Sequence, residues 1–142
     1  MQWLDEDFAE ACDFELIGIR SHVGPHRLAW ELNRKLDWHL AYYGTIQADI
    51  QGRKCKHVVH RYTEETSGMD VAMVVNRTPD GTLAEGAMAL DYLIRLAEGP
   101  TTVKELLPLF REMNLVTLAV LVDPVRSGAL EELGILELID EE

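Results

Sequence analysis

Histidine is the residue type in this chain best suited to metal binding or proton transfer, and five are present. Two of them, His57 and His60, lie three positions apart. On a helix this spacing would put both rings on one side, whereas on a strand it puts them on opposite sides. The segment 56–63 alternates in character, which predicts a strand. We therefore predict no metal site at this pair, and neither an H-E-x-x-H nor a calcium-loop pattern occurs.

A carboxylate within an otherwise apolar segment is the second feature with potential chemistry. Asp91 lies in segment 87–97, where a buried charge needs a hydrogen bond or contact with solvent. One interpretation is an ion pair between Asp91 and Arg95 on a solvent-exposed strand face. The other is a polar binding cleft shared with the first helix. The residues of that candidate cleft are Arg27, Asn33, Asp91 and Tyr92.

Catalysis is the least favoured use of these residues. Asp91, Tyr92 and His26 as acid–base groups would give a hydrolase-like enzyme, which is our third functional hypothesis. The sequence has no G-x-S-x-G nucleophile motif, no phosphate-binding glycine loop and no dinucleotide fingerprint. We therefore predict no catalytic residues, no cofactor and no metal ligands, and we favour a protein that is not an enzyme.

The charge of the chain is concentrated at its ends. Segments 1–19 and 129–142 each carry six acidic residues and no Lys or Arg, which accounts for the net charge of −12. The stretch between them holds 13 bases and 13 acids. Without clustered cations we expect neither a nucleic-acid partner nor an anionic membrane surface. The basic stretch at residues 53–57 falls at a predicted hairpin and is interpreted as a solvated turn. Acidic ends favour solubility, or else a surface that docks a basic partner.

Length and cysteine content indicate the class of protein and its compartment. A chain of 142 residues with 47% hydrophobic residues fits a single domain, 1–142, with a substantial core. Cys12 and Cys55 form no C-x-x-C motif, so no redox or zinc site is expected. An acidic segment follows Met1, so we expect no signal peptide. A reduced, cytoplasmic protein is the simplest interpretation.

The first third of the chain predicts helix, strand and helix in turn. Apolar spacing over residues 1–12 indicates a short acidic N-terminal helix. The run 14–20 is apolar on both faces, as an inner strand would be. Pro25 suits the first turn of a helix, whose apolar stripe is Leu28, Leu32 and Leu36, with Ala29 beside it. The opposite side of that helix is expected to carry Arg27, Glu31, Arg34 and Lys35.

The middle of the chain has the period of strands. Four segments are predicted as strands of an antiparallel meander: 39–50, 56–63, 69–77 and 87–97. Turn residues divide them, and the strongest turn signal is Thr78-Pro79-Asp80-Gly81-Thr82. Within the last segment, one face is expected to carry Met88, Leu90, Tyr92, Ile94 and Leu96.

The last third returns to alternating element types. Thr102-x-x-Glu105 is a capping box that begins a second helix, which Pro108 should kink. The run from Leu115 to Val122 is predicted as another inner strand. The acidic segment 129–142 is ambiguous between a short helix and an edge strand.

These elements predict an α+β fold in the order β-α-β-β-β-β-α-β. We expect a two-layer sandwich, with a mainly antiparallel sheet of about five to six strands and the two longer helices on one face. The plan is ferredoxin-like with an extra hairpin. Because exposed edges and faces of such sheets are often covered by a second copy, we expect a homodimer.

Several short motifs match a known family in order and approximate spacing. They are Asp13-Phe14-x-Leu16-Ile17-Gly18-Ile19, Arg27-Leu28, Leu32-Asn33, Leu90-Asp91-Tyr92 and Leu121-Val122-Asp123-Pro124. With these motifs the chain resembles a family of small bacterial proteins of unknown function, named for the motif Ile-Pro-Glu, three variable residues and Val-Asp-Tyr (IPExxxVDY). Ala84-Glu85-Gly86 stands where the family has Ile-Pro-Glu. The resemblance implies a compact cytosolic domain and no particular activity.

Our leading functional hypothesis is a non-enzymatic binding module, which acts through a protein partner or through self-association. It rests on the missing catalytic motifs, the many expected strand edges and the acidic ends. The alternative is a small-molecule-sensing regulatory domain with a ligand cleft at a dimer interface.

Overall fold

The chain folds into one antiparallel sheet of six strands with two helices, as the sequence predicts. The computed structural model describes residues 14–50, 53–79, 81–83, 90–99 and 101–123. The expected helix at 1–12 and the segment 129–142 lie outside these residues. The helices are α1 (Pro25–Leu36) and α2 (Val103–Arg111). The strands are β1 (Phe14–Arg20), β2 (Ala41–Ile50), β3 (Arg53–Thr63), β4 (Asp70–Val75), β5 (Arg77–Thr78), β6 (Gly81–Thr82), β7 (Tyr92–Ala97) and β8 (Leu118–Val122).

The six long strands lie in the order β2-β3-β4-β7-β1-β8, and every neighbouring pair is antiparallel. The Thr78–Thr82 turn forms as expected, but it joins β5 and β6 into a separate two-stranded hairpin. The α+β class and the element order are therefore confirmed. The ferredoxin-like description stays a prediction.

Helix α1 begins and ends where its residues allow. Pro25 occupies the first turn, where its missing N–H leaves no hydrogen bond unmade, and the Leu28 amide donates to the Gly24 carbonyl. Asp37 ends the helix in the left-handed conformation. Leu28, Ala29 and Leu32 are buried as the apolar stripe predicts. The exposed position expected for Glu31 is wrong, because this side chain is buried and pairs with Arg34 at 3.2 Å.

Helix α2 begins at the predicted cap, where the Thr102 side chain accepts a hydrogen bond from the Glu105 amide. Val103, Leu106 and Phe110 bury its apolar face. The helix continues through Pro108, which is exposed. The hydrogen bond that Pro108 cannot make would run back to the first turn of a helix of only nine residues.

Both faces of the sheet are buried. The helix face packs α1 and α2 against alternate residues of the strands, among them Ile17, Ile19, Met73 and Ile94. The second face collects the intervening residues together with two leucines from the connection after β4; its core members are Phe14, Leu16, Ile46, Val59, Ala72, Val74, Leu83, Leu90, Leu93 and Ala97. The two helices thus lie on one face of the sheet, as expected.

Two predictions about strand environment are wrong. The run from Leu115 to Val122 is not an inner strand, because β8 pairs only with β1 among the described residues and leaves Leu118 and Leu121 exposed. A run of apolar residues cannot by itself distinguish burial on two faces from an exposed apolar edge. Leu90 does not share a face with Tyr92, because β7 begins only at Tyr92 and Leu90 packs on the second face.

Candidate functional site

Asp91 lies at a junction of backbone segments. Its Oδ2 accepts a hydrogen bond from the Ser21 amide at 2.9 Å, and its Oδ1 accepts one from Arg77 at 2.8 Å. Its own amide donates to the Ile19 carbonyl, and its carbonyl accepts from the Asn76 amide. The expected Asp91–Arg95 ion pair is wrong, since Arg77 is the partner of Asp91 and Arg95 is buried elsewhere. The carboxylate therefore links the start of the β1–α1 loop, at Ser21, to Arg77 of β5, while the backbone carbonyl of Asp91 bonds to Asn76 at the end of β4.

Tyr92 strengthens the same junction. Its hydroxyl donates a short hydrogen bond to the Val23 carbonyl in the β1–α1 loop. Burial, and then the negative charge of Asp91, raises the pKa of Tyr92 to about 12. The phenol is therefore neutral at physiological pH and acts as a hydrogen-bond donor. A pKa so far from neutrality does not suit general acid–base catalysis.

Neither of the other residues of the predicted cleft pairs with Asp91. Asn33 closes the connection from α1 to β2, because its side chain donates to the Leu40 carbonyl and accepts from the Leu40 amide. From Pro25 to Asn33 the helix rises by about 12 Å, so Asn33 is at the far end of α1 from the β1–α1 loop. Arg27 is exposed and forms no ion pair with any described residue. Asp91 and Tyr92 come together, whereas Asn33 has a separate structural role.

The histidine pair of β3 is divided between the two faces, as a strand requires. His57 is buried, and its Nδ1 donates to the Val75 carbonyl at 2.8 Å. Burial lowers the pKa of His57, and the hydrogen bond to Val75 opposes this effect only in part. Burial, and then the positive charge of His26, lowers the pKa of His60. The described residues contain no group of three metal-ligating side chains.

A buried cluster of charges on the second face was missed by sequence reasoning. Asp70 of β4 accepts two hydrogen bonds from Arg61 of β3, at 3.0 Å and 2.6 Å. Arg95 of β7 donates a third, at 3.3 Å, from Nη1. The guanidinium of Arg95 also lies 5.0 Å from the ring centre of Phe14, and that of Arg61 lies 5.1 Å from the ring of Tyr43. We call Arg61, Asp70 and Arg95 the arginine–aspartate cluster.

The electrostatics of this cluster favour its charged form. Burial alone would raise the pKa of Asp70, but the hydrogen bonds and charges of Arg61 and Arg95 outweigh it, so the pKa lies below its ordinary value. The hydrogen bond to Asp70 raises the pKa of Arg61. Only strand register brings these three residues together, with Ala72 paired to both Arg61 and Arg95. An arginine within the apolar segment 92–97 was the one signal in the sequence.

The outer side of α1 carries exposed aromatic and basic side chains. Trp30 is 55% exposed, and the guanidinium of Arg34 lies 5.3 Å from the centre of its ring. His26 is one turn before Trp30, and its charge acts on His60, whose ring contacts that of Tyr42. Tyr42 itself is 61% exposed. We call His26, Arg27, Trp30, Arg34 and Tyr42 the α1 surface.

Strand β8 forms a second exposed apolar region at the other end of the sheet. Its sequence, Leu-Ala-Val-Leu-Val, contains no charge, and its outer edge is unpaired among the described residues. Leu118 is 41% exposed and Leu121 is 46% exposed. An uncharged, unpaired edge is the kind of surface that adds a further strand.

Comparisons with protein-family models, curated proteins and solved structures give no match. The resemblance to the IPExxxVDY family stays a prediction. Neither helix of the described chain has the length and apolar character that crossing a bilayer requires. We therefore infer function from the geometry of three features, which are the α1 surface, strand β8 and the arginine–aspartate cluster.

Proposed function

We propose that this protein is a non-enzymatic binding module that docks an acidic protein segment on the α1 surface. The observation that carries the proposal is the exposure of two large aromatic residues, which are Trp30 on α1, with Arg34 over its ring, and Tyr42 on the edge strand β2. Trp, Tyr and Arg are the residue types that dominate binding energy at protein interfaces. A tryptophan more than half exposed loses much contact with water when a partner covers it, and this favours association.

Charge supports an acidic occupant. Helix α1 carries Arg27, Arg34 and Lys35, and its one acidic residue, Glu31, is buried. The outward charge of this helix is therefore positive, in a chain whose net charge is −12. Carboxylates of a partner can pair with the arginines while an apolar side chain packs on Trp30.

The test is selection from a random peptide display library on the wild-type protein. Sequences bound by wild type are counter-selected against a Trp30→Ala/Arg34→Ala variant, with Lys104→Ala of α2 as the matched exposed control. We expect the enriched peptides to be rich in Asp and Glu and to contain an apolar anchor. Their affinity should fall at least about tenfold in the Trp30→Ala/Arg34→Ala variant. Enrichment of basic sequences, or binding that is the same in both proteins, would contradict the proposal.

Self-association through β8 is the second candidate, and the exposed Leu118 and Leu121 favour it. If two copies of β8 pair antiparallel about Val120, Leu118 of one copy lies opposite Val122 of the other. The two sheets then form one continuous sheet, a two-fold arrangement with no unpaired charge at its centre. This is the homodimer expected from the sequence.

Light scattering coupled to size exclusion tests the β8 dimer. We expect a dimer mass for wild type, a monomer mass for Leu121→Lys, and no change for Tyr42→Lys at the opposite edge of the sheet. A wild-type monomer at a concentration of about 100 μM would exclude a dimer of useful affinity.

A further inference from the structure

We propose that the arginine–aspartate cluster binds a small carboxylate anion, which pairs with Arg95 on the second face of the sheet. This site is independent of the α1 surface and of β8. It deepens the expectation of a small-molecule ligand, but it places the ligand within one copy of the chain and not at a dimer interface.

The first argument is the unequal number of charges. The cluster contains two guanidinium groups and one carboxylate. Arg61 occupies both oxygens of Asp70, through Nε to Oδ1 and Nη2 to Oδ2. Arg95 reaches only Oδ2, at the longer distance of 3.3 Å. No other acidic residue of the described chain lies within 4.0 Å of either arginine, so among the described residues the cluster holds one more positive charge than negative.

The second argument is the burial of Arg95. Its side chain is 6% exposed, and its Nε is buried without a hydrogen-bond partner. Arg95 shares the single carboxylate of Asp70 with Arg61, so its buried charge is only partly compensated, and a buried donor without an acceptor is unfavourable. Phe14 offers the face of its ring but no acceptor oxygen. An anion that accepts from Nε would satisfy both needs at once.

The chemistry of the site indicates the class of anion. Nη1 of Arg95 is used by Asp70, and the edge formed by Nε and Nη2 is one that a carboxylate can bind with two parallel hydrogen bonds. A monoanion balances the single excess charge. The neighbouring side chains Phe14, Leu16 and Leu93 are apolar and suit a short hydrocarbon tail. The site meets solvent at Arg61, whose side chain is 19% exposed.

Thermal unfolding in sodium acetate tests the proposal, with sodium chloride keeping the ionic strength constant. A ligand that binds only the folded state stabilises it by RT ln(1 + [ligand]/Kd), so the melting temperature rises with the logarithm of the acetate concentration above Kd. We expect this rise in wild type and its absence in Arg95→Met. In Arg95→Lys, which keeps the charge but lacks the planar edge, the rise should be smaller and need more acetate. Arg77→Met, which removes an arginine from the separate ion pair with Asp91, should respond like wild type.

Three outcomes would overturn the proposal. One is an acetate response that persists in Arg95→Met while circular dichroism shows an intact fold. Another is stabilisation by phosphate but not by acetate at the same ionic strength. The third outcome concerns acidic residues of the chain itself. In a full-length variant, the five Asp and Glu residues of segment 1–13 are replaced by Asn and Gln. If wild type ignores acetate and this variant responds to it, the counter-charge belongs to the chain and no external ligand is needed.

Discussion

Asp91 shows how a single residue can hold distant segments together. Asp91 makes hydrogen bonds with Ile19 and Ser21 at the end of β1, and with Asn76, which follows β4. Its carboxylate serves as the acceptor for the amide of the buried Ser21, and the same carboxylate pairs with Arg77 at the surface. The hydrogen bond from the Ser21 amide and the ion pair with Arg77 differ in their exposure to solvent, so their contributions to stability should differ as well.

We expect Asp91→Ala to lower the free energy of unfolding by about 1–3 kcal/mol, because the Ser21 amide is left without an acceptor. Arg77→Ala should cost less than about 1 kcal/mol, since the Arg77 side chain is half exposed and its ion pair is weakened by solvent. Urea unfolding of both variants measures the difference. Equal losses would mean that the ion pair, and not the Ser21 hydrogen bond, stabilises this junction.

The sequence marks Asp91 as unusual but does not reveal its partner. A carboxylate in an apolar run is conspicuous in one dimension, which is why Asp91 and Tyr92 were singled out. Arg77 lies 14 residues earlier, in the first strand of the β5–β6 hairpin. Arg95, the partner expected from proximity in sequence, instead meets Asp70 across two paired strands. Pairings between strands depend on register, which no local pattern of this sequence specifies.

At the scale of elements, β1 is shaped by a close approach at Gly18. A Cβ atom at this position would lie 2.2 Å from Cδ1 of Leu90 and 2.8 Å from a methyl group of Val122. Leu90 therefore packs directly over the backbone of β1 on the second face. This contact explains why a glycine stands in the middle of a buried strand, where its conformational freedom is otherwise unfavourable.

Gly18→Ala should destabilise the protein by about 1–3 kcal/mol, because the added methyl group overfills a packed core. Gly24→Ala is the matched control, since nothing lies within 4 Å of a Cβ there and its φ of −72° suits any residue. We expect that variant to be neutral or slightly stabilised. Because Leu90 is itself buried, the combination of Leu90→Ala with Gly18→Ala should lose less stability in urea unfolding than the two single losses added together. A double variant that is less stable than the two single losses combined would contradict the proposed contact.

Strand β3 makes the stability of the fold depend on pH. The pKa values of His57 and His60 are lowered in the folded state, so below about pH 6.5 the unfolded chain binds more protons than the folded one. Stability should therefore fall as the pH decreases from 7.5 to 5.5, by up to about 1.4 kcal/mol per pH unit for each histidine. His60→Asn should reduce this slope in urea unfolding, because it removes one of the two histidines whose pKa is lowered. A slope that is unchanged in His60→Asn would contradict this role.

Elements are more predictable from this sequence than their environments. Pro25, the Thr102 cap and the Thr78–Thr82 turn each work through a local physical effect, and each lies where it was expected. The inner position predicted for β8 is wrong because an apolar segment has the same pattern whether a neighbouring strand or solvent lies beside it. The exposed position expected for Glu31 is wrong for a related reason, because the helix pattern does not show which neighbouring elements cover a side chain.

At the scale of the whole molecule, strand β8 and the Tyr42 end of the α1 surface lie at opposite edges of the sheet. Tyr42 is on β2, and the exposed leucines are on β8, with four strands between them. At about 4.8 Å per strand, these edges are separated by about 24 Å. A dimer through β8 would therefore leave the α1 surface of each copy open to a partner, so the two candidate functions are compatible.

The net charge of −12 determines how salt should affect the β8 dimer. Two copies repel each other, while the β8 edge itself carries no charge that salt could screen. Raising sodium chloride from 50 to 300 mM shortens the screening length, so the repulsion falls and the apolar contact is unaffected. We expect the association constant from sedimentation velocity to rise by about tenfold over this range. A dimer held by ion pairs would show the opposite dependence, because salt would weaken its attractive contacts, and the interface would then have to be sought away from β8.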